Sequence, residues 1–234
     1  MKKRIAILIL LPLLVGGIAF AAGALLFPER SYRTVRLLEV AQYDSLLISL
    51  GYHDPAVVTI LEVSDFTCTY CRKVQKALEA TADRYGDSVK IVFAPLPRGD
   101  APDRRLLASA YIAAVRQNRG AEMKRLLFRE ASGLPRAKPE SEPEFRKKAA
   151  EEIAFAAARE IGLDTAQFVR DLESEETGGI LDGIKAEAER LNISSTPTFI
   201  VNGYMARGAL SFEGFEQVVS AVLENNEKRE GSGV

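Results

Sequence analysis

The sequence predicts an α/β fold. A βαβ unit and a ββα unit build one sheet of about four strands, a block of helices separates them, and an N-terminal transmembrane helix or signal peptide precedes them. Three observations carry this reading. Two nearly continuous apolar, β-branched runs, 56–63 and 89–94, flank a segment of helical periodicity. Asn202-Gly203, the strongest short hairpin signal, lies between two further strand-like runs. Between these halves the apolar residues recur at helical spacing.

Lys2, Lys3 and Arg4 precede an uncharged run over 5–27, which Glu29 and Arg30 close. At about 1.5 Å per residue, a helix of that length spans the roughly 30 Å hydrocarbon core of a bilayer. Pro12, Gly16, Gly17 and Gly23 lower its propensity without excluding it. The competing reading is a cleaved signal peptide with Ala19-Phe20-Ala21 as its small-residue site. The apolar run continues through Leu25, Leu26 and Phe27, beyond any such cleavage, which favours an uncleaved anchor over residues 1–29. In both readings the basic cluster stays cytoplasmic and the remainder is exported. The protein is then expected at a bacterial inner membrane with its folded part in the periplasm or outside the cell, or soluble in the periplasm after cleavage.

Residues 30–51 form a connector, in which Val35, Leu38, Leu46 and Leu47 suit one face of one or two short helices; Gly51 and Asp54-Pro55 end it. A single domain is expected over 52–226. It begins with the strand at 56–63, whose unbroken apolar character fits burial on both faces. Val74, Ala77, Leu78, Thr81 and Tyr85 then mark a helix up to Gly86, and the second strand at 89–94 is halted by Pro95 and Pro97. A helical insertion follows over about 103–192. Its stripes include Leu107, Ala110, Tyr111 and Ala114, then Met123, Leu126 and Leu127, with a loop broken by Gly133, Pro135, Pro139 and Pro143 before the later helices. No stripe holds a His or Cys, so each reads as core packing. Strands at 198–201 and 204–207 flank the hairpin, Ser211 caps a last helix with Phe215, Val218, Val219 and Val222 inside, and 227–234 reads as a polar tail.

The 31 basic and 32 acidic residues balance to a net charge of -1, so no global field favours a polyanion and nucleic acid is not an expected partner. Chemistry concentrates at Cys68-Thr69-Tyr70-Cys71, the only two cysteines of the chain. A structural zinc site needs about four N or S ligands; two Cys and His53 fall short, so no metal is expected. In an exporting compartment two such thiols oxidise to each other, which leaves a reactive dithiol. Cys68 falls where a strand hands over to a helix, and the unpaired N–H groups and dipole of a helix start stabilise a thiolate. Cys68 is therefore the expected nucleophile and Cys71, one turn further in, the resolving thiol. Arg72 and Lys73 either add to this stabilisation or point into solvent.

With the strand, the cysteine pair at a helix start and Thr196-Pro197 in view, the chain resembles the thioredoxin superfamily, specifically its DsbA-like branch of exported thiol:disulfide oxidoreductases. "DPAVVTILEVSDFTCTYC" is similar to that branch's strand and active-site stretch, "STPTFIVNG" to its later loop, and the helical block lies where that branch carries one. The resemblance implies a thioredoxin-like fold with a helical insertion and a reversible Cys68–Cys71 disulfide that serves in place of any cofactor. It makes Pro197 a cis-proline facing the cysteines and presents the Thr196 backbone to an extended substrate segment, with Thr69 and Tyr70 on the same binding face. It places Glu62, six residues before Cys68, as a buried acid that accepts a proton from Cys71; a strand-edge glutamate facing water is the alternative. Partners would be exported proteins with cysteines and a membrane or exported redox partner that recharges the disulfide. The chain departs from the best-known strongly oxidising members in having Thr69-Tyr70 where they have Pro-His, which implies a weaker oxidant. A disulfide donor is the expected function; a reductase or isomerase of the same fold, or a non-catalytic chaperone-like binding module, are the alternatives.

Overall fold

The structure, a computed structural model, describes residues 38–39, 58–134 and 143–231. The apolar run at 5–27, expected as the membrane segment, lies outside them. Among the described residues no helix is long and apolar enough to cross a membrane.

Five strands form one sheet in the order β1-β5-β4-β2-β3: β1 Leu38–Glu39, β2 Val58–Ser64, β3 Val89–Pro95, β4 Thr198–Val201 and β5 Tyr204–Arg207. Helix α1, Thr69–Tyr85, joins β2 to β3, which run parallel; the other neighbours are antiparallel. The fifth strand corrects the reading of the connector as helical, because Leu38 and Glu39 pair with Met205 and Tyr204 of β5. Without them β5 would present a row of unpaired backbone groups, and two extended residues are too few to show a period of two. Asn202 and Gly203 both adopt positive φ, as the tight β4–β5 turn requires.

Strand β2 is buried along its length. Val58 and Ile60 pack with Val74 and Leu78 of α1 and with Phe215 and Val218 of α7, Phe212–Gly231. Leu61 and Val63 point to the opposite face, against inserted helices. That alternation under a wholly apolar run is the mark of a strand covered on both faces.

The insertion comprises α2 Pro102–Arg116, α3 Gly120–Glu130, α4 Pro143–Glu160, α5 Thr165–Leu172 and α6 Glu175–Arg190. Helix α2 is its hub and contacts the other four. Ala110, Ala113 and Ala114 of α2 and Ala150, Ala154 and Ala157 of α4 lie in one core, where small side chains let the axes approach. Pro143, read from sequence as a loop breaker, begins α4 instead, a position where its missing N–H costs nothing. Helix α7 runs on to Gly231, through residues read as a tail, because its last turns hold good helix formers and no proline. Phe66, Phe93, Tyr111 and Phe128 form a ring cluster with centroids 4.8 to 6.0 Å apart, which ties the β2–α1 loop, the edge strand and the insertion together.

Candidate active site

Strand β2 ends at Ser64, and the chain turns over 65–68 into α1. Asp65 builds the turn. Its buried carboxylate accepts from the Thr67 amide at 2.7 Å and hydroxyl at 2.8 Å, from the Arg98 amide at 3.0 Å and from Arg104 Nη1 at 3.3 Å, while its carbonyl accepts from the Cys68 amide at 3.0 Å. The β2 and β3 ends are thereby locked around Cys68.

Cys68 is the N-cap of α1, and its sulfur occupies the place of a capping oxygen: the Cys71 amide donates to Sγ at 3.4 Å. The first turn carries no acidic side chain to compete for the positive helix end. Cys68 is half-buried and Cys71 fully buried, both as free thiols. The Cys68 pKa falls from 9.0 to about 5, first because the Cys71 thiol hydrogen-bonds to it and then through the Cys71 amide, Thr196 and the Tyr70 amide, against an opposing effect of burial. The Cys71 thiol is pushed far up, by its hydrogen bond to Cys68 and by burial. One sulfur is thus ionised and reachable, and the other protonated and enclosed.

The Thr196-Pro197 bond is cis. Thr196, 128 residues away in sequence, meets the cysteine pair: Cys68 Sγ lies 3.6 Å from its carbonyl, to which the thiol donates when Cys68 is protonated. The Thr196 hydroxyl is buried and makes no regular hydrogen bond, yet it lowers the pKa of both cysteines. A donor with no fixed partner is free to turn to whichever sulfur carries charge. Ser64 behaves in the same way toward Cys71 alone. Thr69 and Tyr70 stand exposed at the tip, with Tyr70 63% accessible and Lys73 5.8 Å over its ring. Arg72 borders a cavity beside Cys68.

Glu62 is fully buried, which removes the strand-edge alternative. Lys124 Nζ of α3 lies 2.6 Å from its Oε2, and Gln75 Nε2 donates to its Oε1 at 2.7 Å. Gln75 Nε2 also donates to the Cys71 carbonyl at 2.9 Å, so one amide links the acid to the backbone of the second cysteine. Sequence reasoning missed Ser64, Asp65, Gln75 and Lys124. Ser64 and Asp65 had a signal, being polar residues at the end of an apolar strand beside the motif; Lys124 had none. Among the described residues no cluster of His, Cys, Asp or Glu could hold a metal ion.

The sequence profile of a family described as thioredoxin matches residues 48–221. Among solved structures, a thioredoxin-like oxidoreductase from Silicibacter pomeroyi DSS-3 superposes with a TM-score of 0.61 at 25% identity, covering 80% of this chain and 99% of that one. The oxidoreductase DsbA from Xylella fastidiosa gives 0.57 at 20% identity over 74% and 88%, a likeness of fold. Among curated proteins, the Na(+)/H(+) antiporter NhaA of Herminiimonas arsenicoxydans is 26% identical over 211 residues, 90% of this chain and 30% of that protein. The chain spans less than a third of the length of the curated relatives it matches.

Proposed function

The chain belongs to the thioredoxin family, and on that premise we propose that it is a DsbA-like thiol:disulfide oxidoreductase that donates a Cys68–Cys71 disulfide to cysteines of exported proteins. One observation supports this direction: the Cys68 sulfur caps α1 and accepts from the Cys71 amide at 3.4 Å, which favours its thiolate, while Cys71 is fully buried, which favours its thiol. A substrate thiolate attacks Cys68 Sγ, the reachable sulfur, and the Cys68–Cys71 bond breaks. Cys71 leaves as a thiolate and takes up a proton, favoured by its raised pKa. A second substrate thiolate then attacks the substrate sulfur of the mixed disulfide, and Cys68 departs as a stabilised thiolate, the better leaving group. The helix cap and the thiol of Cys71 stabilise the reduced form in the place where a histidine is absent, and a stable reduced form makes an oxidising disulfide.

In this reading the Thr196 backbone aligns an extended substrate segment beside Cys68, with Thr69 and Tyr70 flanking it. Glu62, held by Lys124 and Gln75, serves proton exchange at Cys71. The run at 5–27 anchors the protein with its catalytic domain in the periplasm or outside the cell, and a separate membrane or exported partner reoxidises it. The disulfide carries the two electrons and no further cofactor takes part. Cation–proton exchange is not carried over from the antiporters, since the similarity covers so small a part of them.

The deciding measurement is the reduction potential by equilibration with glutathione, joined to trapping by Cys71→Ala. A donor gives a potential less negative than about -200 mV, whereas one near about -270 mV makes it a reductase. Mixed disulfides through Cys68 are expected in the trap; their absence would favour a non-catalytic binding module.

A further inference from the structure

The carboxylate of Asp65 is buried at the end of β2, and both of its oxygens are fully engaged as acceptors. Oδ1 takes the Thr67 amide and hydroxyl; Oδ2 takes the Arg98 amide and Arg104 Nη1. The first pair of bonds closes an Asx turn inside the Cys68 loop, over the β-turn in which the Cys68 amide donates to the Asp65 carbonyl at 3.0 Å. The second pair fastens that loop to the segment after β3 and to the first turn of α2, where Arg104 Nη1 also donates to the Arg98 carbonyl at 3.0 Å. A β-turn of this kind accepts many neutral residues in its first position, whereas a buried carboxylate carries a desolvation cost. Here the charge does more than close the turn: it clamps the cysteine loop to the loop behind it.

We propose that Asp65 is a positioning residue for disulfide exchange: its carboxylate fixes the turn that seats Cys68 Sγ at the N-cap of α1, so that the sulfur stays in reach of the helix N–H groups as it attacks and leaves. The inference rests on the dithiol reading above and adds a residue whose side chain acts through Cys68 rather than on the substrate. The Cys71 amide reaches the sulfur at 3.4 Å, and such a bond weakens steeply as it bends. Thr67, gripped by both its amide and its hydroxyl, immediately precedes Cys68. Slack at Thr67 therefore passes directly to the cap.

The charge of Asp65 by itself works in the opposite direction, because a carboxylate near a thiolate disfavours it. Arg104 offsets that charge at 3.3 Å. Positioning and charge thus make opposite forecasts for one substitution: removing the carboxylate raises the Cys68 pKa when the cap is lost and lowers it when only the charge matters. Asn does not substitute for Asp here, since its amide nitrogen donates and would face either the Thr67 donors or those of Arg98 and Arg104. Thr67→Val, by contrast, removes one bond to Oδ1 and no charge.

The test follows the pH dependence of iodoacetamide alkylation at Cys68 in the reduced full chain, located by mass spectrometry, beside urea unfolding of the same samples. Asp65→Ala is expected to raise the midpoint from about 5 by about one pH unit, the worth of one helix cap. Thr67→Val should raise it by about half a pH unit, the lower end of the same range, and Thr67→Ser, which keeps the hydroxyl, should return it to the parent value. A midpoint that falls in Asp65→Ala shows the carboxylate acting as a charge, and one that stays in place, with or without a shift in unfolding, shows a role in the fold alone; either overturns the proposal. Should Asp65→Ala not fold, the Thr67 pair decides: equal midpoints in the Val and Ser variants overturn it. These outcomes leave the dithiol reading intact. A parent midpoint near the ordinary thiol value of about 8.5 overturns both.

Discussion

Lys124, on an inserted helix, places its ammonium 2.6 Å from the carboxylate of Glu62, on the central strand, where that carboxylate is fully buried. The pair bridges the two parts of the domain that the sequence separates by 62 residues. The Lys124 ammonium also lies over the Phe93 ring, 4.7 Å from its centroid, so the cation is held from two sides. Lys124→Ala leaves a buried charge with only Gln75 as partner and is expected to cost about 3–5 kcal/mol in urea unfolding. Adding Glu62→Gln to Lys124→Ala should restore most of that loss. If the single variant unfolds like the parent, the pair contributes nothing to the fold.

The acidity of Cys68 sets a pH dependence. Alkylation of the reduced protein by iodoacetamide should titrate with a midpoint of about 5. The folded pKa lies below the unfolded value of about 8.5, so the folded state binds fewer protons between these limits. Thiolate stabilisation is fully present above the unfolded pKa and is lost as pH falls through the folded one. The reduced form should therefore lose stability relative to the oxidised form as pH drops from about 8 to about 5, and the difference should level off below that. Below pH 8 the Cys71 thiol is protonated in both states and leaves the slope unchanged. Parallel pH–stability curves for the two redox forms would contradict the assignment.

Ser64 predicts a kinetic effect without a structural one. Its hydroxyl has no hydrogen-bond partner to lose, so Ser64→Ala should change unfolding stability little. As Cys71 becomes a thiolate, however, the hydroxyl is a donor to it. A hydrogen bond to a charged group is worth about 1.5 kcal/mol, roughly tenfold. Steps that form or consume the Cys71 thiolate should slow by up to that factor, measured as a longer-lived mixed disulfide in rapid quench. Ser64→Thr, which keeps the hydroxyl, should preserve the rate.

Local features of the fold and site were legible because they are written in short-range patterns. The cysteine pair at a strand-to-helix junction, the apolar run of β2 and the Asn202-Gly203 turn each depend on residues within a few positions of one another. Strand β1 was not legible, since a two-residue strand exists only through its pairing with Met205 and Tyr204. The extension of α7 was missed for a different reason: polar residues at a chain end suit a solvated helix as well as a frayed tail.

The sequence by itself determined that two thiols share one turn at a helix start, because the spacing of three residues and the backbone N–H groups of that turn bring the Cys71 amide to the Cys68 sulfur. Tertiary structure decided what surrounds them. Thr196 comes from 128 residues away to meet Cys68, Lys124 crosses from the insertion to neutralise Glu62, and arginines from three separate segments line one cavity beside the thiolate. Periodicity records which face of an element is buried, but it carries no information on which distant charge or hydroxyl is buried against it; only the packing of the elements supplies that partner.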